Sequence, residues 1–364
     1  MACQKPAPDR PARTVRDSSG VQVMEYSDAA QARWNVAGPL WESHRIPSAE
    51  AVALHGITAV LGVDSGTALV AESQPARLVF LDFRRGRIRQ LGGSGGGPGE
   101  FLAITWVGRQ HVGDGFLIFD GRQKRLSPIG QDLSLRESIV PARVASGTGA
   151  IPDIRGQLAD GRYVASSALL ARRSAGSSLV RQPLRLQLLE PDGTAGDSIT
   201  TVLGDEALDV GGVVMRPGFL KRSSIVVAPD AIHVADASAY EVRSYTPEGR
   251  LARIVRLPAR NLVVPDSALV RVRELDASIL PNTVHLPEVS GLLLDDSGRL
   301  WLGRHALPDS PTEWTVIDTA GMPSATVAVP PGFRLMSVWN GLLFGVGRGP
   351  LGEETVQIFG HEWK

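Results

Sequence analysis

Gly92-Gly93-Ser94-Gly95-Gly96-Gly97-Pro98-Gly99-Glu100-Phe101 joins two hydrophobic, β-branched regions of the chain. Before it run Leu69-Val70-Ala71 and Arg77-Leu78-Val79-Phe80-Leu81-Asp82; after it come Ile104-Thr105-Trp106-Val107 and Gly115-Phe116-Leu117-Ile118-Phe119-Asp120. Glycine adopts backbone angles that a Cβ resists, and Pro98 stiffens the exit, so the stretch reads as a crossing from one β-module to the next. Within it, Gly92, Ser94 and Gly96 fit the G-x-S-x-G pattern of a nucleophile elbow. That elbow needs a helix straight after the serine, and Gly97-Pro98-Gly99 cannot start one. The loop also lacks a G-x-G-x-x-G register or a following Gly-Lys-Ser/Thr, so a phosphate cradle is not indicated. Gly97, Pro98, Gly99, Glu100 and Phe101 are therefore expected to be structural. Glu100 would accept backbone N–H bonds, and Phe101 would plug the gap between two modules.

Outward from this crossing the same phrase recurs: an apolar strand, a turn of Asp, Gly or Ser, a β-rich strand, a polar gap and a further strand. The units are 57–83, 104–129, 154–189, 225–245, 289–317 and 335–359, with turns near 64–66, 113–115, 160–161, 229–230, 295–298 and 340–341. Successive turns lie about 44–50 residues apart, a spacing that fits one four-stranded blade per unit. Two steps are longer, about 66–70 residues. In one, Leu208 to Lys221 reads as an inserted glycine-rich loop. In the other, Ala268 to Leu275 reads as a short helix with Asp266 or Ser267 as N-cap. The strands alternate with period two, as in Arg299-Leu300-Trp301-Leu302-Gly303. Several are apolar on both faces, which suits a sheet packed between two neighbours.

The turn Asp295-Asp296-Ser297-Gly298-Arg299-Leu300-Trp301-Leu302 and the crossing Gly97-Pro98-Gly99-Glu100-Phe101 resemble those of bacterial six-bladed β-propellers related to NHL-repeat and TolB-like proteins. The leader Thr14-Val15-Arg16-Asp17-Ser18-Ser19-Gly20-Val21-Gln22-Val23 is similar to the start of many such chains. The resemblance covers the chain from about residue 14 and implies a fold without fixing an activity. The expectation is all-β: a six-bladed β-propeller over residues 31–364, with a helical insert near 265–280. Trp34 and Trp41 stand outside the six units. The segment Arg33 to Arg45 is expected to close the ring as the missing strand of the last unit, which removes an exposed edge.

The charge count bounds the partners. Lys plus Arg and Asp plus Glu both number 38 in 364 residues, so no overall field draws the chain to nucleic acid. No stretch approaches the ~18 apolar residues of a membrane-spanning helix. Cys3 is the only cysteine, which rules out an internal disulfide and a thiolate metal cluster. It follows a small residue and precedes the proline-rich Lys5-Pro6-Ala7-Pro8-Asp9-Arg10-Pro11, a polar stretch that reads as a tether. This resembles the processed junction of a bacterial lipoprotein. With a start lying upstream, Cys3 would carry lipid, residues 1–30 would be a flexible leader, and the protein would be periplasmic or on the cell surface; otherwise it would be cytoplasmic.

Chemistry-bearing residues are sparse. The seven histidines form no H-E-x-x-H signature or i, i+4 pair. A propeller can still gather ligands from several blades at its channel, and His233, His305, Asp64 and Glu72 are the candidates, with a divalent metal as the cofactor if they converge. Hydrogen-bonded structural histidines are the simpler reading. Asp82, Asp120, Asp236 and Asp318 recur at strand ends, which favours turn capping over catalysis. The cluster Arg122-Gln123-Lys124-Arg125 offers Arg122 as a contact for an acidic partner. These residues point to a monomeric extracytoplasmic binding or scaffold protein with no catalytic signature or resident cofactor. Its partner would be a protein, a small molecule or a glycan, and membrane contact would come only through the lipid. A propeller enzyme with a channel-mouth metal, a lactonase-like hydrolase or a lyase, is the alternative.

Overall fold

A computed structural model describes residues 12–31, 34–36, 40–46, 54–142, 152–169, 178–210, 212–276, 278–307, 309–349 and 352–360. Cys3 lies outside the described residues. The described chain is nearly all β, with two short helices, Asp28–Gln31 and Asp266–Leu275. Six antiparallel sheets follow one another along it: I (57–91), II (104–130), III (153–215), IV (224–256), V (291–329) and VI (334–360). The crossing of residues 92–101 lies between sheets I and II and contains a small parallel pairing of Gly93–Ser94 with Glu100–Phe101.

The first strands of the six sheets pack in a cycle. Ile57–Asp64 lies against Ile104–Arg109, and that strand against Asp153–Gln157. The series continues through Ser224–Val227, Gly291–Leu294 and Arg334–Trp339, and the last packs back on Ile57–Asp64. Each neighbouring pair of sheets also shares its own apolar core. Phe101, Ile104 and Ile118 pack with Leu69 and Leu78 between I and II. Phe119 and Tyr163 lie between II and III, and Leu186 and Val234 between III and IV. Tyr240 and Leu302 join IV to V, Trp314 and Phe359 join V to VI, and Phe344 and Val70 join VI to I. Thr67–Ser73 is buried along six of its seven positions, as a strand covered on both faces must be. Gly62 is required by this packing, since a Cβ there would stand 2.4 Å from the Phe344 ring. Gly156 plays the same part against Val227, also at 2.4 Å.

The N-terminal segment lies outside the six sheets and touches three of them. Val21–Tyr26 runs parallel to Leu251–Arg256 at the outer edge of sheet IV, and Arg13–Ser18 folds back on it. Asn35–Val36 pairs with Ala325 and Thr326 of sheet V, and Trp41–Ile46 runs antiparallel to Glu354–Gly360 of sheet VI. A leader spanning residues 1–30 is therefore too long. From Arg13 the chain is strand, and Val23 and Met24 are buried because the hairpin covers the outer edge of sheet IV. Trp34 packs edge-on against Tyr26, with ring centroids 6.3 Å apart.

The two long steps in the sequence meet in space. Leu208, Phe219 and Leu220 from the first pack with Val264, Leu269, Val272, Ile279, Leu280 and Val284 from the second, forming a satellite core. The helix Asp266–Leu275 forms as expected but without a side-chain cap. Its N-cap residue is Pro265, and Asp266 instead accepts from Arg273 at 3.2 Å.

Candidate functional site

In each sheet the first two strands are joined at what we term the turn end. The opposite end gathers buried acids, and most accept backbone N–H groups close to the first strands. Glu72 accepts from His55 N–H at 2.7 Å, Glu354 from Ile57 N–H at 2.9 Å, and Asp120 from Leu102 N–H at 2.6 Å. A carboxylate engaged in this way is occupied in holding the entering chain. At strand ends Asp82 caps Arg85 N–H, Asp120 caps Arg122 and Gln123 N–H, Asp236 caps Ser238 N–H, and Asp318 caps Met322 N–H. In the glycine-rich crossing Glu100 accepts from Gly97 N–H at 2.8 Å, Phe101 is buried between sheets I and II, and Gln123 and Arg125 hold the Glu100 carbonyl. The Arg122 side chain is exposed and makes no hydrogen bond or ion pair among the described residues, although its backbone N–H donates to Asp120.

The structure does not bring His233, His305, Asp64 and Glu72 together. Asp64 is at the turn end of sheet I, where it caps Gly66 N–H, whereas Glu72 is at the other end of the same sheet and ion-paired with Arg77. His233 lies within sheet IV, its Nδ1 2.9 Å from Ser244 Oγ. Burial, then the charge of Arg253, push its pKa down to about 4. Among the described residues no three His, Cys, Asp or Glu side chains are grouped as metal ligands would be.

His305 is differently placed. It follows Leu300–Gly303 at the end opposite the turns and lines a small crevice with Arg260, Leu262, Leu286, Pro287, Glu288 and Arg304. Leu286 packs against the satellite core, so the crevice opens where the insert rejoins the sheets. Its floor is a buried ion pair. Arg304 donates to Glu288 at 3.1 Å and to the Pro258 carbonyl at 2.8 Å, and its guanidinium lies 3.7 Å from the centre of the Tyr240 ring. Glu288 also accepts the backbone N–H groups of Arg260 and Asn261, and Arg260 in turn pairs with Glu313. Every charge in the floor is thus partnered. Removing one member would leave the other buried and uncompensated, at a cost of roughly 3–5 kcal/mol. Against this, the His305 ring has no hydrogen-bond partner among the described residues. Burial, and then the charge of Arg222, lower its pKa, so it is a neutral imidazole at neutral pH. It can donate through one nitrogen and accept through the other.

Sequence reading found His305 but not its setting. Arg304 and Glu288 were not distinguished from other charged residues, because their pairing depends on the chain returning after the 258–288 insert. A weak signal was present in Arg304-His305, where a cation directly follows the apolar strand Leu300–Gly303.

No family model matches the chain, and no curated protein matches it in sequence. Solved structures do resemble it. A protein of Bacteroides fragilis NCTC 9343 described as exported superposes with a TM-score of 0.52 at 11% identity, covering 91% of this chain and 97% of its own. A member of the DUF4221 family from Bacteroides vulgatus gives 0.47 at 10% identity, covering 90% and 97%. Virginiamycin B lyase from Staphylococcus aureus gives 0.45 at 7%, covering 88% and 99%. The fold is β-propeller-like. At these identities the likeness concerns fold alone, and function must be argued from the site.

Proposed function

We propose that the chain is an extracytoplasmic binding protein built as a six-bladed β-propeller, with Trp41–Ile46 closing the ring as the outer strand of sheet VI. Cyclic packing of the six first strands and six inter-sheet cores supports the blade count, and the pairing with Glu354–Gly360 supports closure. Cys3 would carry the lipid that places the protein outside the cytoplasm. Among the described residues no helix is long and apolar enough to cross a membrane, so a covalent anchor is the device the sequence offers.

The observation that carries the binding reading is the His305 ring, which has no hydrogen-bond partner among the described residues and lies in a crevice whose other charges are paired. Leu262, Leu286 and Pro287 offer an apolar wall beside it. A sugar fits this pairing of surfaces, since its C–H faces need an apolar wall and its hydroxyls need both donors and acceptors. The test is a glycan array probed with wild type and His305→Ala. We expect wild type to retain at least one glycan and the variant to lose it. Retention should also fade as the pH falls below the ordinary histidine range, where the imidazole takes up a proton. An array that wild type leaves unbound defeats the reading. Stoichiometric metal in the purified protein would favour the metal-dependent hydrolase or lyase instead.

A further inference from the structure

The end of the channel remote from His305 presents a cation that the fold leaves half dressed. Arg109 ends the first strand of sheet II, yet its hydrogen bond and its nearest aromatic ring lie on sheets I and VI. One terminal nitrogen donates to the Gly62 carbonyl of sheet I, and the guanidinium lies 3.3 Å from the centre of the Trp339 ring of sheet VI. The side chain thus runs from the second sheet past the first to the sixth at the turn end, which on the ring reading is the mouth of the lumen. Phe116 flanks the guanidinium at 5.3 Å. Several arginines that reach into the fold do so with acids, as Arg77 on Glu72, Arg256 on Glu241 and Arg304 on Glu288. Arg125 and Arg181 instead spread their guanidinium over two or three neutral acceptors. Arg109 has no carboxylate within ion-pair distance among the described residues. Asp296 of sheet V is near enough for its field to act, but its Oδ1 accepts the Asn340 N–H at 3.0 Å.

An arginine has five N–H donors in a planar fork, and here one nitrogen meets a protein acceptor. A half-buried cation without a paired anion is costly, and here one carbonyl and aromatic stacking are what offset the cost. Ser337 of sheet VI meets the same glycine. Its Oγ accepts the Gly62 N–H at 3.2 Å, which leaves its own hydrogen to give. We propose that the turn end of the lumen is a binding site for a small oxyanion, a carboxylate or a phosphate, held by the Arg109 fork with Ser337 and walled by Trp339. Desolvation already lowers the Arg109 pKa to about 10, as expected for a site that gains most from an incoming negative charge. The proposal rests on the ring reading but not on the His305 crevice.

Thermal unfolding and titration calorimetry with inorganic phosphate, with citrate, and with chloride at matched ionic strength test it. Phosphate or citrate, but not chloride, should raise the melting temperature of wild type and bind one per chain, and the stronger of the two names the ligand chemistry. Arg109→Gln should abolish the shift. Asp296→Asn should strengthen binding about fivefold, because it removes the competing negative charge. Equal stabilisation of wild type and Arg109→Gln would mean general ionic screening only and would overturn the site. Weaker anion binding in Asp296→Asn would mean that the anion does not sit at Arg109 within the field of Asp296, and would overturn the site equally. Failure of the glycan array leaves these outcomes readable.

Discussion

Gly62 shows how closely neighbouring sheets must approach, because the Phe344 ring occupies the space a side chain would need. Gly62→Ala is expected to cost about 1–3 kcal/mol by overpacking, measurable as a lower urea midpoint at unchanged m-value. Adding Phe344→Leu should recover part of the loss, since the two changes share one contact. His233 makes a different residue-scale claim. Its imidazole resists protonation until about pH 4 in the folded chain but takes up a proton near pH 6.5 when unfolded. The unfolded state therefore binds more protons in that window, and stability must fall as the pH drops through it, by up to about 3 kcal/mol. Urea midpoints between pH 4 and 7.5 should decline in wild type and stay flatter in His233→Gln. Neither residue stands out in the sequence. Gly62 looks like any strand glycine until sheet VI is laid against it, and His233, a ligand candidate with a structural role as the simpler reading, bonds Ser244.

The strands themselves were legible because period-two alternation and Asp/Gly turns are local signals, and each of the six units contains a sheet where one was expected. What escaped was pairing between distant segments. The hairpin Arg13–Tyr26 reads as polar leader because its first strand is exposed throughout, and only Val23 and Met24 face inward. A truncation through residue 27 removes both, at about 1.5–3 kcal/mol for each buried side chain, so the melting temperature should drop by several degrees. Extending it through residue 46 should cost more, because it also bares the Glu354–Gly360 edge, and light scattering should then report aggregation. Equal behaviour of full-length and residue-27 truncated protein would return the hairpin to the status of a tether. The crevice was half legible for the same reason. His305 carries its identity in the sequence, whereas the ion pair beneath it is made by a chain that departs and comes back.

At the scale of the whole molecule, six cores arranged in a proposed closed ring leave no terminal unit from which unfolding could start. Calorimetric and van't Hoff enthalpies should therefore agree, with one transition and not a series. The segment strung along sheets IV, V and VI adds a consequence for synthesis. Gln22 pairs with Arg253 and Trp41 with Gly360, so these strands must wait for partners made about 200–300 residues later. At roughly 5–20 residues per second a ribosome needs on the order of 10–60 s to reach those partners. Through that interval the outer strands of three blades lack their neighbours, and the nascent chain has to be kept from pairing with others of its kind. Stalled chains ending before residue 350 should be cut readily by protease within residues 13–46, and released full-length chains should not. The order of translation thus withholds the partner of Trp41–Ile46 until residue 360 has left the ribosome.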